Sequence, residues 1–531
     1  MAILAQARDD PSHADGPEDI MRTPMVQSWV LACLALTAMP VHADEAAALA
    51  AAKTHVAAHE KEIVGELREL LSHPNVATRD ADMRANAALL VAMLEKRGIA
   101  ARVLETPGAP VAVYGERKTP GAKRTLLFYA HFDGQPVTPE SDWQTPPFEP
   151  VLRGGRMEDG ALAIAWGDAR YPLPDEARIY ARSSSDDKGP IVAMLAALDA
   201  LAAARIPLSA NLKFFLEGEE EQGSPNLAKT LSTHRELLKS DLWIFGDGPI
   251  DPRGLPRLAL GARGVMPFSL TVYGPATALH SGHYGNVAPN PGARLAALVT
   301  SMRAEDSRIT IEGLAAPPPS PAAVELARTA FDTPGMLVAA GVGASESGLD
   351  YGEAILRPSL NVTQLLYGGS GGQRNAIDAE AIAGFDLRLV PGMAVAGARA
   401  AIEAHVKKQG YTLLHAAPTA EDRLKNPKLA RVDWAAEGYA AAMSAPDNPG
   451  VARVMAVARA ATRGEVRIAP LMGGSLPIAP IESVLGTPFV IAPIVNADNN
   501  QHAPNENLRM REFRRGIGFY AALLAEAGKG W

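Results

Sequence analysis

The 531-residue chain has a single cysteine, Cys33, and its aromatic residues amount to only 5%. One thiol cannot form an internal disulfide, and a metal site built on several thiolates is excluded. Blocks of positive charge are also missing. The net charge of −8 is spread along the chain, which argues against nucleic acid or an anionic membrane as partner. The apolar run Trp29–Met39 holds about 11 residues, well short of the roughly 20 that cross a bilayer as a helix. What remains is an ordinary globular composition, 47% hydrophobic and 21% charged, in a chain long enough for two or three domains with ample cores.

The first 43 residues read as a leader rather than as fold. Met21-Arg22 opens a weakly basic segment, Trp29–Met39 is its apolar core, and Val41-His42-Ala43 fits a small-residue cleavage site before Asp44-Glu45. The stretch before Met21 is acidic, so translation is expected to start at Met21 or Met25. A lipoprotein cleavage before Cys33 would leave almost no apolar core ahead of it. The expected fate is secretion, to a bacterial periplasm, after cleavage near Ala43. The mature protein then carries no thiol and no membrane span.

Helices and strands alternate beyond the leader, which argues an α/β sheet. Ile63, Leu67, Leu70 and Leu71 recur at helical spacing within 46–72, as do Leu89, Leu90, Met93 and Leu94 within 80–98. Leu126–Ala130 is a short apolar strand buried on both faces, and it ends in His131-Phe132-Asp133-Gly134. Alternation along a strand sends His131 and Asp133 out on one face at its carboxyl end, where open α/β sheets hold their ligands. Asn211–Leu216 ends in Glu217-Gly218-Glu219-Glu220-Glu221, and Leu242–Phe245 ends in Gly246-Asp247-Gly248. Asp186 and Asp187 precede an Ala/Leu helix starting at Ile191, where a single Asp would suffice as a cap. From Met266 to Tyr273 apolar and polar residues alternate, giving one wet face, and helices and one-sided strands continue to Gln409. That segment suggests an α+β domain inserted into the first. Its stretches Ala315–Pro321 and Gly368–Gly372 read as linkers and loops. After Pro446 the α/β pattern returns, with His502 between a strand and the final helix.

Grouped carboxylates repel, so each must be solvated or neutralised. A solvated acidic turn accounts for any one of these strand ends. A cation at the carboxyl edge of the sheet accounts for all of them. Two His and several carboxylates suit Zn²⁺, with Co²⁺ or Mn²⁺ as substitutes, and a shared carboxylate would allow a pair of ions. Of Glu220 and Glu221, one would bind metal while the other stays free as a base.

AHFDGQP, SSDDKGP, EGEEEQGS, the Asp after a buried strand, LHSG and HAPNE, in this order, resemble the di-zinc exopeptidase family of carnosine-type dipeptidases, carboxypeptidase G, aminoacylase and succinyl-diaminopimelate desuccinylase. The resemblance spans essentially the whole chain after the leader. It implies a zinc-exopeptidase catalytic domain of α/β type, with a mixed, mostly parallel sheet between helices, in two parts (44–264 and 431–531). An α+β lid and dimerisation domain (265–430) would be inserted between them. It further implies two Zn²⁺ per subunit, with His131 and Asp247 on one, Glu221 and His502 on the other, and Asp186 bridging. Asp133 would orient His131, and Glu220 would be the general base. Gly223-Ser224 after the acidic run sets that register. His280 would reach a partner subunit's site in a homodimer built through the lid. Arg388 would hold a substrate carboxylate, and Gly474 and Ser475 would lie on a substrate-contacting loop. The Asp186–Asp187 peptide would be cis.

Departures from the family bear on substrate. Leu471-Met472 stands where carnosine-type dipeptidases have Arg-Glu, Ala181-Arg182-Ser183 replaces Gly-Arg-Gly, and the stretch 157–178 is longer than in relatives. The expected activity is hydrolysis of short peptides with a free carboxylate. The alternatives are an N-acyl-amino-acid amidohydrolase or, from another class, a binding protein that kept the pocket. The presence of Glu220 argues against the latter, and the scarcity of basic residues in these motifs argues against a phosphohydrolase.

Overall fold

The computed structural model describes residues 42–137, 142–368, 374–434 and 438–531. The expected leader up to residue 41, and most of the expected glycine loop at Gly368–Gly372, lie outside the described residues. Among those described, no helix is long and apolar enough to cross a membrane.

An eight-stranded sheet carries the site. Its order is Ala100–Leu104, Ala112–Arg117, Asn211–Glu217, Thr125–His131, Leu242–Phe245, Phe489–Ile491, Arg257–Ala259 and Arg467–Ala469. The central strands Asn211–Glu217, Thr125–His131, Leu242–Phe245 and Phe489–Ile491 run parallel, and the edges bring in antiparallel neighbours. Leu126 to Ala130 are buried, as an apolar run covered by helices on both faces requires. On one face lie the helices His42–Leu71, Lys188–Ala203 and Met510–Glu526, packed through Leu67, Leu195 and Tyr520. On the other, Tyr129, Phe215, Trp243 and Phe245 form an aromatic cluster.

A second sheet runs Ser359–Leu366, Glu380–Leu389, Gly261–Tyr273, Leu429–Trp434 and Thr412–Leu414, covered by the helices Pro291–Met302 and Val395–Lys408. Phe268 and Phe385 stack at 4.7 Å within it. Met266, Phe268, Leu270 and Val272 are buried as expected, but so are Thr271 and Tyr273. The outer face is therefore dry at that end, where Arg423 lies over the Tyr273 ring. The 13-residue strand Gly261–Tyr273 of this second sheet follows directly on Arg257–Ala259 of the main sheet. Its first residues pair with Ala442–Met443 and with Met472–Ser475, and the rest pairs with Glu380–Leu389. Gly264 is needed there, since a Cβ would sit 2.4 Å from the Tyr439 carbonyl oxygen. Residues 42–531 cluster as one compact unit.

Two features did not follow from the sequence pattern. The first is a small sheet of Asn507–Arg509, Arg178–Tyr180, Val151–Arg153 and Ala163–Ile164, whose strands of two or three residues are too short for a period to show. The second is a helical segment, Pro321–Ala330, Thr333–Ala339 and Tyr351–Ala354, where a Pro-rich linker was expected at its start. Its signal was present: Ser320 and Asp332 are N-caps whose side chains accept from Ala323 and Gly335, each with Pro in the first turn.

Candidate metal centre

Five chain segments bring ligands to one edge of the main sheet. Thr125–His131 and Asn211–Glu217 are adjacent and in register, His131 opposite Glu217, so the HFD turn and the acidic turn leave the sheet side by side. Asp133 ties them together. Its two carboxylate oxygens accept the Glu220 and Glu221 amides, each at 3.1 Å. Its carbonyl oxygen lies 3.1 Å, and one carboxylate oxygen 3.4 Å, from His131 Nδ1. That arrangement leaves Nε2 as the outward-facing nitrogen.

The acidic run is sorted by its hydrogen bonds. Glu217 accepts from the Tyr129 hydroxyl at 2.6 Å beneath the sheet edge. Glu219 accepts from the Asn226 amide and side chain. Glu220 is left lining the cavity, and Glu221 faces His502 while Gln135 donates to it at 2.8 Å.

Asp186 and His502 come from loops held by the small sheet, in which Tyr180 pairs with Asn507. Glu506, fully buried, locks one loop to the other. Its carboxylate accepts the backbone amides of Ser183, Ser185 and Asp186, the Ser185 hydroxyl and Arg182 Nη1, all at 2.8–3.0 Å. The Asp186–Asp187 peptide is cis. Asp186 then reaches both ways, with Oδ1 2.9 Å from His131 Nε2 and Oδ2 3.1 Å from His502 Nε2. His502 Nε2 is also 3.1 Å from Glu221.

Ligand atoms of His131, Asp186 and Asp247 lie within 4.8 Å of one another, and those of Asp186, Glu221 and His502 do so too. Two nitrogen-and-oxygen donor sets sharing one carboxylate fit a divalent metal site. The electrostatics agree. Burial and the neighbouring Asp186 push Asp247 up to about 7. Burial and Asp247 push Glu220 and Asp187 well above the carboxylate range. His502 is raised to about 10 by its hydrogen bonds to Asp186 and Glu221. Burial lowers His131, but Asp133 and Asp186 outweigh it and raise it well above its ordinary value. Without a cation, protons must neutralise this edge.

A cavity of about 990 Å³ opens over the centre, lined by Asp186, Glu220, Asp247, His502 and the Gly473-Gly474-Ser475 loop. Ser475 Oγ accepts from Arg388 Nη1 at 2.8 Å, so these two expected substrate contacts meet. The other edge of the Arg388 guanidinium pairs with Asp386, at 2.9 and 3.0 Å. Met472 faces the cavity, but Leu471 is fully buried against the core of the helical segment and is not a substrate contact. His280 is exposed, its Nδ1 accepting from the Gly282 amide, and it does not line this cavity. Phe331, Met336 and Tyr351 of the helical segment do line it, and sequence reasoning missed them. Glu506 closes the HAPNE motif, and its five donors follow from the loop pairing rather than from any local signal.

Glu506→Ala should strand three amides and Arg182. A stability loss of about 3–5 kcal/mol is expected in chemical denaturation, together with loss of bound metal by mass spectrometry, although Glu506 is not among the donors.

The model of Peptidase family M20/M25/M40 matches residues 127–526. The Cys-Gly metallodipeptidase dug1 of Schizosaccharomyces pombe is 26% identical over 457 residues, 82% of this chain and 87% of that protein. Among solved structures, the M20 family metallo-carboxypeptidase Sso-CP2 from Sulfolobus solfataricus is similar at 26% identity and a TM-score of 0.68, covering 88% of this chain and 99% of that one. Human carnosine dipeptidase 1 shares the fold at 21% identity and a TM-score of 0.63, covering 91% of this chain and 100% of that one.

Proposed function

The chain belongs to peptidase family M20/M25/M40, a metal-dependent hydrolase by that membership, and we propose that it is an exopeptidase cleaving the amide bond of short peptides with a free α-carboxylate. The observation that carries this reading is Asp186, shared between two ligand triads, with Glu220 beside them on the cavity wall. We take the cofactor to be two Zn²⁺, with His131 and Asp247 on one, Glu221 and His502 on the other, and Asp186 between. When bound, the ions supply Lewis-acid polarisation of the scissile carbonyl and lower the pKa of water. Glu220 takes the proton of the attacking water and delivers it to the leaving amine. Its place on the cavity wall beside the two ligand sets suits a group that takes that proton and returns it. Asp133 fixes the Glu220 backbone and the His131 ring together.

Substrate is held at the far end of the Gly-Gly-Ser loop. A guanidinium binds a carboxylate bidentately, and Arg388 is oriented for this by Asp386 and Ser475. On the amino side Met472 supplies an adaptable apolar surface, which keeps N-acyl amino acids as a second reading. We place the protein in the bacterial periplasm after leader cleavage near Ala43, on the leader pattern alone.

Zinc-loaded protein assayed on dipeptides, N-acyl amino acids and C-terminally amidated versions is expected to cleave only those with a free carboxylate, and to lose activity on chelation. Glu220→Gln should keep its metal and lose roughly 10²–10⁴ in kcat. Near-normal turnover would remove Glu220 as base, and equal hydrolysis of amidated substrates would remove Arg388 as carboxylate receptor.

The span 265–430 is proposed as the lid and dimer contact. Ser359–Leu366 is an edge strand, and Val362, Leu365, Leu366 and Tyr367 are exposed along it, an edge that soluble proteins cover. His280 would then complete the partner's site beside the developing oxyanion. Mixing inactive Glu220→Gln with inactive His280→Ala should restore activity in hybrid dimers, and Leu365→Glu should shift the protein to monomer in sedimentation. No recovery after verified subunit exchange contradicts the shared site.

A further inference from the structure

The cavity over the metal centre extends beyond the bond that would be cut. The Gly-Gly-Ser loop spans its length. At one end Ser475 touches Arg388. At the other, Met472 Cε lies 3.2 Å from where a side chain on Gly248, the residue after Asp247, would begin. Past Met472 the walls are Phe331, Met336, Ala339 and Ala340 from the helical segment. Tyr351 packs on the loop so closely that a Cβ on Gly473 would sit 2.0 Å from its hydroxyl. This end is thus a built pocket, shaped by residues 331–351.

Its walls are apolar, but two arginines line it. Arg253 is committed: its guanidinium grips Asp251 through Nε at 2.8 Å and Nη2 at 3.2 Å, with Asp332 at 3.8 Å. Arg257 is not. Its side chain is 15% exposed, and its nearest carboxylate oxygen, on Asp251, is 3.7 Å away, beyond hydrogen-bond reach. It makes no hydrogen bond among the described residues, its Nε is buried without a partner, and its guanidinium carbon lies 5.8 Å from the centre of the Phe331 ring. A largely buried cation held only by a long ion pair, with donors to spare, is costly unless something hydrogen-bonds to it. Asp251 gives its hydrogen bonds to Arg253 and Asp332 caps its own helix at Gly335, which leaves the Arg257 donors open to a group entering the cavity.

We propose that this end of the cavity is a subsite for the amino-side group of the substrate, and that Arg257 selects a group with an apolar stem ending in a carboxylate. The proposal rests on the hydrolase reading above and narrows it. The reaction is unchanged: the amide C–N bond breaks, water gives its hydroxyl to the acyl carbon and its proton to the amine. Two sources share this chemistry, a dicarboxylic acyl group and an acidic residue.

The test compares matched pairs that differ in charge alone. N-succinyl-, N-glutaryl- and N-adipyl-leucine are set against N-butanoyl-, N-pentanoyl- and N-hexanoyl-leucine, and Glu-Leu against Gln-Leu. Ratios of kcat/KM are read for the metal-loaded protein and its Arg257→Met and Arg257→Lys variants. Dissociation constants of the same pairs are read by calorimetry on metal-loaded Glu220→Gln and Glu220→Gln/Arg257→Met. The expected result is a preference of about ten- to a hundredfold for the charged member of at least one pair. It falls toward unity in Arg257→Met and survives in part in Arg257→Lys. Whether an acyl pair or the dipeptide pair shows it identifies the source. No preference, or one that Arg257→Met leaves intact, overturns the subsite, while cleavage of the neutral partners keeps the hydrolase reading. Charge-selective binding without cleavage of any substrate overturns the hydrolase reading and upholds the subsite.

Discussion

Carboxylate repulsion at one sheet edge is the constraint on which the rest of the structure depends. Asp186 lies within 4.8 Å of Asp247 and His131 in one group and of Glu221 and His502 in another, with Asp187 and Glu220 next to them in the chain. At an effective dielectric of about 20, two unit charges at that distance repel by roughly 3–4 kcal/mol. Hydrogen bonds alone cannot offset several such pairs. Every nearby element serves either to hold these groups together or to keep them in reach of a neutralising charge.

The holding is done by tethers that cross long sequence distances. Asp133 clamps the acidic turn to the neighbouring strand, and Glu506 stitches the Asp186 loop to the His502 loop through five donors. The chain runs from Arg257–Ala259 of the main sheet straight into Gly261–Tyr273 of the second, with Arg263 opposite Ser475 and Val265 opposite Arg388. One continuous backbone therefore fixes the distance between the metal centre and the groups that would hold substrate. The helical segment 321–354 adds the opposite wall, so the chemistry and the selectivity of the cavity rest on different parts of the chain.

Much of this was legible in the sequence because it was local. Buried strands announce themselves by apolar runs, and His131, Glu220 and Asp247 lie within five residues of their ends. Tyr129 and Asn226, which draw off Glu217 and Glu219, explain physically why the pair left over is Glu220–Glu221. What stayed hidden was set by tertiary pairing. Strands of two or three residues carry no period, Glu506 looks like any loop glutamate until Ser183 and Ser185 fold over it, and Leu471 and Met472 differ in destination although adjacent. The helices at 321–339 were hidden by a Pro-rich approach, although the caps at Ser320 and Asp332 marked them.

One carboxylate, Asp186, is common to two candidate cation sites. Metal content of purified protein, counted by mass spectrometry after dialysis against limiting Zn²⁺, tests that sharing directly. Two ions per chain are expected in the unaltered protein, one after His131→Ala or His502→Ala, and none retained tightly after Asp186→Ala. Loss of a single ion in Asp186→Ala, or a single ion in the unaltered protein at saturation, would contradict it.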